Sequence, residues 1–115
     1  YNVFATNVAT SCTVELADLS TVTVDPLPDN SYTVSDPTIC NGETATIDVS
    51  GSDIGISYQL RLDSDDSPIG GSVAGTGAAI QLSATPIATT IYNVFATNSA
   101  TNCTVELTDL STVIV

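Results

Sequence analysis

The first 24 residues of this chain recur almost unchanged at its other end. Tyr1–Val24 reads YNVFATNVATSCTVELADLSTVTV, and Tyr92–Val115 reads YNVFATNSATNCTVELTDLSTVIV. The copies differ only at Val8/Ser99, Ser11/Asn102, Ala17/Thr108 and Thr23/Ile114, and they stand 91 residues apart. One period followed by the tail of a second is the pattern of a tandem array. Residues 1–24 are therefore expected to be the last two strands of a preceding repeat. Asp25–Asp29 is then a linker and residues 30–115 one complete domain. Two prolines in the linker, Pro26 and Pro28, predict a short, semi-rigid connection.

Within the period every apolar segment alternates with a step of two. Ala45, Ile47 and Val49 alternate with Thr44, Thr46 and Asp48. Ile56, Tyr58, Leu60 and Leu62 alternate with Ser57, Gln59 and Arg61, which sets Arg61 on the solvent face. Tyr92, Val94 and Ala96 share one face, as do Cys103, Val105 and Leu107. Turn residues punctuate these runs at Asp36-Pro37, Asn41-Gly42, Ser50-Gly51 and Gly70-Gly71. The expected strands are Ser31–Ser35, Thr44–Ser50, Ile56–Leu62, Ala78–Ser83, Thr90–Thr97 and Cys103–Val115, the last interrupted near Asp109. Ser67–Ala74 reads as a weak edge strand or an irregular crossover. The fold class implied is all-β, an antiparallel sandwich.

Charge narrows the function. Arg61 is the single cation against 13 acidic residues, and there is no His, so the net charge is −12. Nucleic-acid partners need clustered Lys and Arg to displace counterions, and polybasic attraction to anionic lipid needs the same. No apolar run approaches the length that spans a bilayer. An acidic surface instead keeps an extended array soluble and its domains apart. Disorder does not fit, because 43% of the residues are hydrophobic.

Cys12 and Cys103 occupy one position in successive repeats, so a single domain holds two cysteines, Cys40 and Cys103. A Cys40–Cys103 disulfide is expected, with Cys12 an orphan whose partner belongs to the preceding repeat. Such a bond implies an oxidising, extracellular compartment. It closes a loop of 63 residues, which is worth about 4 kcal/mol in the chain-entropy model. Buried free thiols are the other reading. Strand direction decides whether the bond lies within one domain: six alternating strands bring Cys40 and Cys103 to one end. A seventh strand at Ser67–Ala74 sends them to opposite ends, where a bond would join neighbouring domains instead.

Catalysis has little to work with: no His for acid–base work, no Lys for a Schiff base, and Ser–Asp pairs without the third member of a triad. The chain is read as not an enzyme. The one candidate metal site is calcium at Asp63, Asp65 and Asp66. It departs from the EF-hand pattern, with Pro68 at the sixth position and Ala74 at the twelfth, and a solvated acidic loop is the simpler account. No cofactor is implied. Tyr92 is a candidate corner tyrosine, bonding back to backbone, or else an ordinary core aromatic.

The frame Ile39-Cys40-Asn41-Gly42, then Tyr58, then Thr89-Thr90-Ile91-Tyr92-Asn93-Val94-Phe95-Ala96-Thr97-Asn98, then Cys103 and a Thr/Val-rich final strand resembles a known family. It is similar to the Ig-like or PKD-like repeats of very large secreted surface proteins of Bacteroidetes, including gliding-motility adhesins of the SprB type. Such repeats commonly carry an aromatic two residues after the Tyr58 position, where this chain has Leu60. The resemblance implies an Ig-like sandwich, export to the cell surface, and a stalk or filament serving adhesion, whose partners are neighbouring repeats. Two alternatives compete. One is a carbohydrate- or protein-binding module of a secreted protein, with Tyr32, Phe95 and the loop Gly70–Gly77 as the exposed candidates. The other is a fibre subunit whose strands Tyr1–Val24 are completed by another chain.

Overall fold

The computed structural model describes all residues 1–115 and contains only strands, turns and loops. Two short strands, β1 (Phe4–Thr6) and β2 (Thr13–Glu15), form a hairpin at one end. The hydrogen bonds of this hairpin segment stay within it. The molecule is consequently elongated, 77 × 30 × 20 Å, with a radius of gyration of 22.0 Å. A single compact domain of this length would have about 13 Å.

The remaining strands make two antiparallel sheets. β3 (Ala45–Val49) pairs with β6 (Ile80–Ala84), Ile47 opposite Leu82. The second sheet runs β5 (Val73–Ala74), β4 (Ile56–Leu62), β7 (Thr90–Asn98), β8 (Thr104–Glu106), with β9 (Ser111–Val113) on the far half of β7. The buried positions alternate as the sequence pattern requires. Ala45, Ile47, Val49, Ile80 and Leu82 from one sheet meet Tyr58, Leu60, Tyr92, Val94 and Val113 from the other in one apolar core. Each such aliphatic side chain contributes about 1.5–3 kcal/mol by leaving water.

The segment before β3 sews the sheets together. Val34 bridges to Val49 in the first sheet, whereas Thr38 bridges in parallel to Ile114 at the end of the second. Most of Ser31–Ser35 is therefore not a regular strand, contrary to expectation. Two backbone bonds hold it along β3, Ser35 N–H to the Asp48 carbonyl and Ser50 N–H to the Thr33 carbonyl. Side chains hold its other edge: the Val34 N–H donates to Asp109 Oδ2 at 2.9 Å, and Ser111 Oγ donates to the Ser35 carbonyl at 2.6 Å. The bend that places Asp109 beside that N–H lies between β8 and β9. Within Ser67–Ala74 only Val73–Ala74, the edge strand β5, is regular; Pro68 adds one isolated bridge to Arg61, and Gly70-Gly71 lies between the two contacts with β4.

Pro28 is buried and Asp29 holds the Ser31 N–H and hydroxyl at 2.8 and 2.6 Å. The linker is thus anchored on the domain at its second proline. Gly51 admits the Tyr32 ring, into which a Cβ at that position would be driven.

Candidate functional site

The two copies of the repeated segment fold into the same hairpin. Phe4, Ala5 and Thr6 face Glu15, Val14 and Thr13; 91 residues on, Phe95, Ala96 and Thr97 face Glu106, Val105 and Thr104. The loops share their Asn hydrogen bonds. Asn7 and Asn98 each accept at Oδ1 from the two amides that follow, Ala9 and Thr10 or Ala100 and Thr101. Their own N–H groups donate to Cys12 and Cys103 carbonyls at 2.8 and 2.9 Å. Ser11 and Asn102 both sit at φ 59°, a left-handed conformation that Asn tolerates better than Ser.

Burial separates the copies. Tyr1 is 87% exposed and Tyr92 3%; Val3 is 53% and Val94 0%; Leu16 is 47% and Leu107 1%. In the second copy these side chains face β3 and β6 across the core; in the first the same face meets solvent. The hairpin is set by local sequence, and the burial by what lies across from it.

The outer face of the closed copy holds the chain's one cation. The Arg61 guanidinium carbon lies 4.2 Å from the Phe95 ring centroid. Its Nε donates to Asn93 Oδ1 at 2.9 Å and its Nη2 to Glu106 at 2.8 Å, with Asp66 at 3.2 Å. Asn93, fully buried, passes its own amide to Asp66 at 2.9 Å. Arg61 does lie on the outer face, but it is clamped there rather than free in solvent.

That clamp disperses the acidic loop. Asp66 faces Arg61 and Asn93, while Asp65 takes the Ser67 N–H and hydroxyl at 3.0 and 2.6 Å, which holds its carboxyl below the usual range. Asp63, Asp65 and Asp66 are not gathered about one point, and no cluster of three potential ligands occurs.

Cys12, Cys40 and Cys103 are free thiols. The expected Cys40–Cys103 bridge is not formed, and topology explains why. Cys103 follows the Asn98 end of β7, whereas Cys40 follows Ile39, which bonds Ile114 beside the Thr90 end. Nine residues of strand separate the two ends, about 25–30 Å against the 7 Å or less a disulfide tolerates.

Among the tyrosines, Tyr58 rather than Tyr92 bonds back to backbone: its hydroxyl accepts from the Asp53 N–H at 2.9 Å. Tyr92 is a core aromatic whose hydroxyl burial pushes up in pKa, partly offset by the neighbouring Thr90 hydroxyl. Tyr32 donates to Asp53 Oδ1 at 2.8 Å, and that bond raises its pKa to about 12. Burial raises the Tyr58 hydroxyl as well. Of the proposed exposed aromatics, Phe95 lies under Arg61 and Tyr32 is held by Asp53. Gly70 and Gly71 border a cavity of about 80 Å³ between the sheets, too small for a sugar ring.

Comparison with known proteins finds no family model, no curated protein and no solved structure that this chain matches.

Proposed function

We propose that this chain is a structural repeat of an extracellular filament or stalk, built from Ig-like sandwiches, that gives reach to a surface adhesin and catalyses nothing. The observation that carries this reading is the repeated hairpin: two copies 91 residues apart fold with one register, one loop and one set of side-chain bonds. Identical joints at a fixed interval let each repeat meet the next in the same way. The linker anchored at Pro28 and the net charge of −12 both favour domains held in line and apart. The binding-module reading has less support, because its two aromatic candidates are already engaged within the domain.

Proteins of one, two and four periods test the reading by small-angle X-ray scattering. The maximum dimension is expected to grow by a constant increment of about 40 Å per period. A dimension that fails to grow, with domains lying side by side, rejects it.

A further inference from the structure

The open hairpin presents more than an apolar face. At the 91-residue offset, three of the four groups that grip Arg61 recur as Asn2, Phe4 and Glu15, corresponding to Asn93, Phe95 and Glu106, while Asp66 lies outside the repeated segment. Phe4 and Glu15 stand opposite each other, as Phe95 and Glu106 do. In the closed copy, β4 pairs along β7 with Leu62 opposite Tyr92, Arg61 opposite Asn93, Leu60 opposite Val94 and Tyr58 opposite Ala96. The matching edge of β1 pairs with nothing: its residues bond only to β2 and its loop.

We infer that the free edge of β1 is a receptor for one antiparallel strand with the pattern Ile-Ser-Tyr-Gln-Leu-Arg-Leu, supplied by a preceding copy of the same repeat. The proposal rests on the tandem-array reading above and names the occupant and its recognition chemistry. Leu, Leu and Tyr of the incoming strand stand beside Tyr1, Val3 and Ala5 on the inner face, as Leu62, Leu60 and Tyr58 stand beside Tyr92, Val94 and Ala96. Its Arg stacks on Phe4, donates to Asn2 and pairs with Glu15 on the outer face. The face is apolar on one side and has an uncompensated carboxylate on the other, which selects a strand with a single cation at one position. Arg61 is the one basic residue of the chain and stands at that position. A strand shifted by one residue would turn its Arg toward the apolar side, so the cation also sets register.

The test places a second copy of residues 25–91 directly ahead of Tyr1 in the full chain and follows amide hydrogen exchange. Exchange along Asn2–Asn7 is expected to slow at least about 100-fold relative to the unextended chain. The Arg side-chain protons of the added copy should move upfield under the Phe4 ring. Phe4→Leu, which keeps the apolar cover, should abolish that shift while the hairpin stays protected. Unchanged exchange at Asn2–Asn7 overturns the inference. Protection that appears only as protein concentration rises also overturns it, since the occupant is then a second molecule. Scattering on the same protein separates this result from the stalk reading: an open hairpin on an elongated particle rejects only the receptor, and a closed hairpin in a folded-back particle rejects only the stalk.

Discussion

Arg61 and Phe95 lie face on, guanidinium carbon to ring centroid 4.2 Å, at the centre of the widest sheet. Neither residue belongs to the apolar core, yet the pair covers buried Asn93 and neutralises part of an acidic rim formed by Asp66 and Glu106. In a chain of 13 carboxylates and one cation, this is the only place where side-chain charge can be compensated by a basic residue.

Replacing Arg61 with Met should therefore cost more than an exposed ion pair does. It leaves the buried Asn93 Oδ1 without its donor, about 1–3 kcal/mol, and removes a cation–π contact of about 0.5–1 kcal/mol. A loss of about 2–3 kcal/mol is expected by urea denaturation. Pairing it with Phe95→Leu in a double-mutant cycle should return a coupling of about 0.5–1 kcal/mol. A destabilisation within 0.5 kcal/mol would place Arg61 among ordinary surface residues.

The same substitution made in the two copies should give opposite results. Leu107→Ala empties a position 1% exposed in the core and is expected to cost about 2–5 kcal/mol. Leu16→Ala, its counterpart on the open hairpin, should change the urea midpoint by no more than about 0.5 kcal/mol equivalent. Equal losses would mean that the first hairpin is covered in solution.

Thiol titration addresses the cysteines. Three thiols should react with a disulfide reagent in the monomer, Cys12 and Cys40 fast and the half-buried Cys103 more slowly. Mild oxidation of the dilute monomer is expected to leave all three reactive. Loss of two thiols without dimer formation would require the ends of β7 to meet.

Alkaline pH should unfold the domain through its tyrosines. The folded state raises the pKa of Tyr32 to about 12 and shifts Tyr58 and Tyr92 upward from the ordinary tyrosine value of 10.0. A raised pKa means that the fold favours the protonated hydroxyl. That contribution is complete below pH 10 and disappears as pH climbs from there through about 12. Tyrosinate absorbance and unfolding should rise together in this window. Asp29 and Asp65 work in the opposite sense: both are lowered from 3.8, so their contribution is present above that pH and fades as acid protonates them. Tyrosinate formation that runs its course near pH 10 with the fold intact would contradict the buried hydroxyl environment.

Alternation made most of the sheet readable from sequence. Ile56–Leu62 is a strand over the expected residues because four apolar side chains there share one face with no turn residue between. Ser31–Ser35 is less legible, since its two backbone bonds along β3 are supplemented by the side chains of Asp109 and Ser111, 75 and 76 residues away. No local pattern carries that. The cysteine pairing turned on whether Ser67–Ala74 adds a strand, and with Gly70-Gly71 in its middle the segment has no period to reveal it. Alternation places Arg61 on the outer face, but its stack on Phe95 follows from register, Gln59 opposite Phe95. Register is fixed by pairing across 36 residues, not by spacing within a strand. The Asn2, Phe4 and Glu15 triad was hidden for the same reason. Only the closed copy reveals what those three residues hold.

The parallel junction of Thr38 with Ile114 has a mechanical consequence. The Ile39 N–H reaches the Ile114 carbonyl at 2.9 Å, and the Ile114 N–H reaches the Pro37 carbonyl at 3.0 Å. These bonds tie the opening segment of the domain to its final strand, and the two run side by side in one direction. Tension applied through the ends would load both bonds together in shear, so they must break at once. An antiparallel pair gripped at its open ends would unzip one rung at a time.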